Sequence, residues 1–329
     1  GLFMVLPLLA LYAADMPGAT PAMIGLALGV YGLTQALLQI PFGWLSDHVG
    51  RKPVIIGGLG LFVLGSVVAA YAESVAGVIF GRSLQGAGAI AGTVMALVAD
   101  VTREEQRTKA MAMVGMSIGL SFALALVIGP VVAAAGGLSA VFWFTAALAL
   151  VGIAIVVLLV PTPAATGLQH ADVGTRVGLL GRSFRDPALQ RLNFGVFSLH
   201  FILMACFLLV PTFLEGVAGI DRGRHWLVYL PALGLSIAGM VPMMILAERG
   251  GRPHPVFLAG ISLLLVSVAI LGFSVSPIAF YLGLWVFFVG FNYLEATLPS
   301  LVSKAVFAGG KGTALGIYST CQFLGAFAG

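Results

Sequence analysis

The sequence PFGWLSDHVGRKP, residues 41–53, forms a short charged break between two long apolar runs. Gly50 permits the sharp turn that such a short connection needs, because glycine adopts backbone conformations that other residues avoid. Asp47 stands four residues before Arg51, and at the end of one helix it can face the positive N-terminus of a neighbouring helix. Arg51 is expected to pair with Asp100, at the end of a later apolar run. The segment therefore predicts a charged turn between two apolar helices.

The chain as a whole is too apolar for a soluble protein. Hydrophobic residues make up 60% of its 329 residues and charged residues 9%, against roughly 25% charged residues in a typical soluble domain. A soluble fold could not hide so much apolar surface, because its exterior must be polar, whereas a bilayer accepts an apolar exterior. The net charge of +4 then indicates basic loops at one membrane face rather than an anionic partner such as a nucleic acid.

Eleven apolar stretches, separated by charged residues or by glycine and proline, predict an all-α integral membrane protein. A helix needs about 20 apolar residues to cross the hydrocarbon core, and nine stretches nearly meet or exceed that length. The first and last are short and stop at Gly1 and Gly329, so we interpret the sequence as part of a longer chain with twelve spans. The stretches are 1–14, 20–43, 54–72, 75–98, 109–134, 139–160, 191–214, 225–247, 255–275, 277–302 and 312–329.

Lysine and arginine predict the orientation of the spans. Thirteen of them lie in or beside the even-numbered gaps, two (Arg222 and Arg224) lie in the other gaps, and Arg82 lies inside a span. The even-numbered gaps are therefore predicted to be cytoplasmic. The widest of them contains prolines, glycines and basic residues, which is typical of a linker. We predict an N-terminal six-helix bundle over 1–160, a cytoplasmic linker over 161–190, and a C-terminal bundle over 191–329 that lacks its last helix.

The two halves repeat each other. Asp47 and Arg51 are matched 201 residues later by Glu248 and Arg252, and Gly115 is matched by Gly316 at the same offset. Each pair also occupies the same place in the order of spans. Parallel repeats of six spans are a known plan for transporters, so the pattern indicates two bundles related by a parallel repeat.

Seven residues of the opening segment resemble the G-x-L-x-D-x-x-G-R-K/R-P signature of the major facilitator superfamily: Gly43, Leu45, Asp47, Gly50, Arg51, Lys52 and Pro53. The resemblance implies the major facilitator fold and a secondary transporter of the bacterial inner membrane. It also implies that this cluster, with Asp100, latches the cytoplasmic side in the outward-open state. The alternative is that the charges only mark topology. The degraded copy of this segment at Glu248 and Arg252 favours the functional interpretation.

A second segment, in the fourth span, resembles the family's R-x-x-Q-G motif through Arg82, Gln85 and Gly86. An arginine in lipid costs about 2.5–3.5 kcal/mol on insertion scales, so Arg82 should face the interior of the bundle. The alternative is that its side chain extends to the outer membrane surface.

A third segment, in the fifth span, resembles the family's antiporter motif, although with a different spacing; its residues are Gly115, Gly119, Gly129 and Pro130. The motif implies exchange of substrate for protons. The alternative is simple helix packing, in which Gly115 and Gly119 allow close approach and the Gly-Pro pair kinks the helix. Over residues 30–53, 109–130 and 291–304 the chain also resembles the bacterial YajR type of the drug/proton antiporter branch.

Few groups could carry a proton inside the membrane. Glu295 is the only carboxylate well inside a span, Asn292 lies one turn away, and His200 lies near mid-membrane in the seventh span. Histidine titrates near physiological pH, and an intramembrane carboxylate is a functional candidate by default. The resemblance implies that Arg82, His200 and Glu295 line the central cavity. The alternatives are a structural or gating role for Glu295 and a packing role for His200.

These observations predict proton-coupled efflux of small, hydrophobic molecules by alternating access. A facilitator or an importer of a small metabolite is the alternative. An enzyme or a non-transporting receptor is disfavoured, because the sequence contains neither an H-E-x-x-H cluster nor a large extramembrane domain. No phosphate-binding G-x-x-x-x-G-K-[ST] loop is present, so an ion or substrate gradient should supply the energy. We expect no cofactor or metal, and a monomer whose partners are its substrate, protons and lipid.

Overall fold

In the computed structural model, residues 2–161, 177–274, 276–306 and 311–329 are described, and every regular element within them is helical. The first half contains α1 (Leu2–Tyr12), α2 (Pro21–Val49), α3 (Arg51–Ala70), α4 (Val75–Ala87), α5 (Ala91–Val101) and α6 (Glu104–Leu158). After α7 (Val177–Arg185), the second half contains α8 (Pro187–Gly216), α9 (Trp226–Glu248), α10 (Pro253–Phe273), α11 (Pro277–Ala305) and α12 (Lys311–Ala328). Short 3-10 turns occupy Ala13–Asp15 and Arg222–Arg224.

The eleven predicted spans all coincide with these helices. The fourth span consists of α4 and α5, and α6 contains both the fifth and the sixth. Within α6 the helical dihedrals are lost at Gly136 and Gly137, and Gly137 has a φ of 66° that favours glycine. Seven helical segments of the described residues are long and apolar enough to cross a membrane, and one of them, Ser117–Leu158, holds two spans. The predicted all-α membrane fold is confirmed.

Local signals set the helix ends. Thr20 accepts a hydrogen bond from the Met23 amide at 3.2 Å, which caps the start of α2. Asp186 accepts from the amides of Ala188 and Leu189 at 2.9 and 3.3 Å and caps α8 in the same way. Gly50 ends α2 with a φ of 104°, so the chain turns at once into α3 as the sequence predicted.

The glycines of the fourth span allow close helix packing. A Cβ at Gly86 would collide with the backbone oxygen of Tyr31 in α2, and one at Gly88 would collide with that of Gly58 in α3. Helix α4 ends at Ala87 and α5 begins at Ala91, so the interruption falls where α3 comes closest. This glycine run thus packs the fourth span tightly against α2 and α3.

Helix α7 was not predicted, because the whole of 161–190 was assigned to a linker. The helix packs against α8 and α12. Residues 162–176 of the predicted linker lie outside the described residues, and the domain boundaries stay a prediction. Large apolar side chains on the outside of the bundle, such as Leu158, Leu265 and Phe273, are 77%, 72% and 88% exposed. They form the surface that lipid covers in a bilayer.

Candidate functional site

The opening segment builds a charged cluster around Arg51. Its Nη1 lies 2.5 Å from Asp47 Oδ1 and donates to Ser46 Oγ at 2.6 Å. Its Nε donates to Asp100 Oδ2 at 3.0 Å, so the predicted contact with Asp100 is present. The side chains of Arg51, Asp47 and Asp100 are 14%, 22% and 25% exposed. One guanidinium therefore joins the end of α2, the start of α3 and the end of α5.

The remaining members of the cluster hold its backbone. Gly43 accepts a hydrogen bond from Ser46 Oγ at 2.7 Å, and the Gly50 amide donates to the Ser46 carbonyl at 3.2 Å. Lys52 Nζ donates to the carbonyl oxygen of Val160 at 2.8 Å, just after α6. The turn between α2 and α3 is thereby tied to the chain just after α6.

The second-half copy does not form the same cluster. Glu248 and Arg252 are both exposed at the junction of α9 and α10, and no ion pair joins either of them to another described residue. The sequence explains the difference. At the repeat offset of 201 residues, the position of Ser46 corresponds to Ala247 and the position of Asp100 corresponds to Leu301. The two groups that hold Arg51 beside Asp47 are thus missing from the second-half copy.

Arg82 faces the interior, as its sequence position predicted, and does not extend to the membrane surface. Its side chain is fully buried, with Nε 3.3 Å from the carbonyl oxygen of Ala27 and Nη1 3.0 Å from Gln85 Oε1. The guanidinium also lies 4.9 Å from the centre of the Tyr31 ring, at a distance typical of a cation–π contact. Gln85 in turn donates to Ser66 Oγ at 2.8 Å. The motif therefore joins α4 to α2 and α3.

The predicted roles of the glycines in α6 receive mixed support. A Cβ at Gly129 would lie 3.0 Å from the Met4 carbonyl oxygen, so this glycine lets α6 approach α1. Gly119 is exposed, and a Cβ there would meet nothing within 4 Å; it is not a close-packing site in this conformation. Gly115 lies in the same helix. Pro130 keeps helical dihedrals, and the break in α6 comes later, at Gly136 and Gly137.

Three helices of the second half bring polar groups together at mid-membrane. Gln322 Nε2 on α12 lies 2.8 Å from His200 Nε2 on α8 and donates to Glu295 Oε1 on α11 at 3.2 Å. His200 Nε2 and Glu295 Oε2 are 3.8 Å apart. Glu295 Oε2 is buried and has no hydrogen-bond partner among the described residues, although its side chain as a whole is 37% exposed. The exposed part of the side chain therefore lies elsewhere than at Oε2.

Asn292 is not part of this network, although it shares the helix of Glu295. Its Nδ2 donates to Ser236 Oγ on α9 at 2.8 Å. Gln322 could not be singled out from the sequence, because it is only one of several polar residues within the predicted spans. Nor do the described residues include a group of three or more His, Cys, Asp or Glu side chains that could hold a metal.

A second charged cluster lies at the outer face. Arg222 Nε donates to Glu215 Oε1 at 2.7 Å, and its Nη1 donates to Asp15 Oδ2 at 3.1 Å and to the Leu11 carbonyl oxygen at 3.3 Å. The guanidinium also lies 5.3 Å from the centre of the Tyr12 ring. Glu215 belongs to the second half, whereas the other three belong to the first. One feature of the sequence indicated this cluster: Arg222 is one of only two basic residues in the gaps predicted to lie at the outer face.

Further contacts between the halves lie in the outer half of the membrane. A Cβ at Gly29 would lie 2.6 Å from the Phe327 carbonyl oxygen, and one at Gly32 would lie 2.6 Å from that of Phe323. Helices α2 and α12 therefore touch backbone to backbone, with no room for a side chain. The partners of Arg51, in contrast, all belong to the first half. The contacts described here between the two predicted halves therefore lie toward the predicted outer face.

Comparison with known proteins gives a consistent result. The family model of the Major Facilitator Superfamily matches residues 1–329. The inner membrane transport protein YajR of Escherichia coli is 47% identical over 99% of this chain and 71% of its own length. The multidrug resistance protein MdtH of Aeromonas hydrophila is 28% identical over 100% of this chain and 82% of its own length.

Two solved structures share the fold. A bacterial homologue of the human lysosomal transporter Spinster superposes with a TM-score of 0.77, at 14% identity, over 99% of this chain and 77% of that structure. The human organic anion transporter MFSD10 superposes with a TM-score of 0.66, at 21% identity, over 99% of this chain and 89% of that structure.

Proposed function

The chain belongs to the major facilitator superfamily, as a multi-pass transporter of the inner membrane rather than an enzyme, and on that premise we propose that it exports small hydrophobic molecules in exchange for protons. The observation that carries the proposal is the network of His200, Gln322 and Glu295 at mid-membrane. A carboxylate and an imidazole are the side chains that can take up and release a proton there. The similarity to a multidrug resistance protein supports export of varied substrates.

Alternating access follows from the two charged clusters. The outer cluster around Arg222 and the contact between α2 and α12 hold the outer face closed in this conformation. The inner cluster around Arg51 is assembled within the first half and presents a preformed surface to the cytoplasmic side. We propose that this surface docks against the second half when the outer face opens. The two halves would then rock about the buried site between them.

Transport measured with and without a pH gradient tests the proposed exchange. The purified protein is reconstituted into liposomes containing a pH-sensitive dye, and a chemically diverse panel of compounds is added under an imposed gradient. We expect at least one compound to accelerate collapse of the gradient in protein-containing liposomes and to have no effect in empty ones. Substrate flux that is the same with and without a gradient would instead identify a facilitator.

Replacing Arg222 with glutamine should open the outer face more often. Partly exposed ion pairs contribute about 0.2–1 kcal/mol each, so the loss of two should raise the open-to-closed ratio about two- to thirty-fold. The measurement is the labelling rate of a Phe323→Cys variant with a membrane-impermeant maleimide, after Cys206 and Cys321 have been replaced by serine.

Arg224 provides the matched control for this measurement. It lies in the same 3-10 turn, but its ion pair, at 4.0 Å to Asp221, stays within one loop and is highly exposed. Arg224→Gln should therefore label at the parent rate. If both variants label alike, the cluster around Arg222 does not hold the outer face closed.

A further inference from the structure

The side-chain amide of Gln322 contacts two titratable side chains, and the hydrogen bonds it can make depend on their protonation states. His200 Nδ1 lies 3.2 Å from the Val196 carbonyl oxygen, which can only accept, so Nδ1 carries the proton and Nε2 of the neutral ring accepts. The Gln322 NH2 group supplies one hydrogen to His200 Nε2 and the other to Glu295 Oε1. Two donors thus meet two acceptors, and the contact with His200 requires a neutral imidazole with a free lone pair at Nε2.

A proton on His200 Nε2 would break this arrangement. The imidazolium N–H would then face the Gln322 N–H at 2.8 Å, and two donors cannot share a hydrogen bond. A new acceptor is already in place, because Glu295 Oε2 lies 3.8 Å away and has no partner among the described residues. Buried polar atoms without a partner are rare in folded proteins. Here the unpartnered oxygen is the acceptor that the protonated ring would use, and the contact between Gln322 and His200 would be lost.

Gln322 also stands next to the contact between the halves. Its neighbour Phe323 presents the carbonyl oxygen that approaches Gly32 of α2, and on the other side of α12 a Cβ at Gly325 would collide with the Phe197 carbonyl oxygen of α8. Helix α12 is thus held between α2 and α8 without space for side chains. A rotation of α12 that turns Gln322 away from His200 must also move the Phe323 carbonyl relative to Gly32.

We infer that Gln322 is the positioning residue that couples protonation of His200, beside Glu295, to separation of α2 and α12 at the outer face. The inference rests on the proposed proton exchange and adds to it the element that transmits the proton's effect. In the deprotonated state the amide holds α12 against α8 and α11 and so keeps the outer contact formed. In the protonated state the imidazolium pairs with Glu295, and α12 loses its side-chain hydrogen bond to α8, which allows it to move away from that helix.

Other ionisable groups near the three helices are few. Within about two turns of the network they are Tyr293, Tyr318, Cys206 and Cys321. The helices packed against α8, α11 and α12 contribute Tyr12, Tyr31, Asp47, His48, Tyr229, Glu248 and His254, and Arg182 and Arg185 of α7. Of these, Tyr31 faces Arg82 and Asp47 pairs with Arg51. A pH response of α12 is therefore assigned to His200 and Glu295.

The inference is tested with spin labels on the outer ends of α2 and α12. Ala22 and Ala328 are exposed and are replaced by cysteine, in the full chain without Cys206 and Cys321, reconstituted in lipid nanodiscs without substrate. The distance between the labels is measured by electron paramagnetic resonance from acidic to alkaline pH. In the parent, acidification should raise the ratio of long to short distances about five-fold or more, as expected for coupling between sites. In Gln322→Leu that response should be lost.

Two controls make the outcome decisive. Gln39→Leu removes a buried amide whose hydrogen bond, to Gln35 at 3.2 Å, stays within α2, and it should keep the parent response. Gln322→Asn retains the donors on a side chain one methylene shorter and should show a weaker response than the parent. If Gln322→Leu does not fold, a parent-sized response in Gln322→Asn overturns the role of Gln322. A parent that ignores pH would overturn the proposed proton exchange. A parent that responds, with Gln322→Leu responding equally, would overturn the role of Gln322 alone.

Discussion

Asp47→Asn is expected to reduce the initial rate of transport about ten-fold or more while the protein still folds. Asp47 lies 2.5 Å from Arg51, and asparagine keeps the size of the side chain but removes its charge. The cost in stability should be small, because the pair is partly exposed and such pairs contribute about 0.2–1 kcal/mol. Asp100 and Ser46 would still hold the Arg51 side chain. The large effect is expected on transport, because the cluster is proposed to dock when the inner face closes.

The measurement compares variants reconstituted at equal amounts, with thermal unfolding recorded for each. Glu248→Gln is the matched control, since it neutralises the equivalent acid in the second half, which is exposed and makes no ion pair with a described residue. Its transport rate should change less than about two-fold, as for most surface substitutions. Turnover at the parent rate in Asp47→Asn would remove the latch from the mechanism.

The fold was accessible from the sequence because membrane helices are specified by length and composition. Each span needs about 20 apolar residues, and that requirement is visible without any knowledge of packing. Helix α7 was missed for the opposite reason. It is nine residues long, too short to be stable alone in water, and its contacts with α12 involve residues distant in sequence.

The inner cluster could be predicted because its members are mostly consecutive. Asp47, Gly50 and Arg51 lie within one turn, and only Asp100 had to be added from another helix. The mid-membrane network is different, since His200, Glu295 and Gln322 come from three helices. The sequence marks the first two by their chemistry, because they can titrate. It gives no way to select Gln322 from other amides in spans, since that choice depends on the rotation of α12.

The second-half copy shows the limit of a repeat as evidence for function. Glu248 and Arg252 keep the spacing of Asp47 and Arg51, but the contact depends on neighbours that the spacing does not include. Ala247 and Leu301 occupy the positions of Ser46 and Asp100. Without them Arg252 has neither a second carboxylate nor a hydroxyl to hold it. The two residues keep their spacing in the sequence, but they do not form an ion-paired cluster with described residues.

Glu295→Gln is expected to abolish the use of a pH gradient by the transporter. A gradient of about one pH unit supplies about 1.4 kcal/mol per proton, which suffices for about ten-fold accumulation of a substrate exchanged for one proton. Glutamine has a similar shape and its oxygen can still accept from Gln322, but it has no negative charge to pair with a protonated His200. The variant should therefore fold and equilibrate substrate to a ratio of about one, whereas the parent should reach the higher ratio.

Asn292→Ala separates loss of coupling from general damage to α11. Asn292 lies one turn before Glu295 and donates to Ser236 on α9 at 2.8 Å, so its removal disturbs the same helix but leaves His200, Gln322 and Glu295 in place. This variant should keep the pH-driven accumulation of the parent even if its rate falls. The measurement is the steady-state substrate ratio across the liposome membrane as the imposed gradient is varied. If Glu295→Gln accumulates substrate as the parent does, the proton is carried by another group, and His200 becomes the next residue to replace.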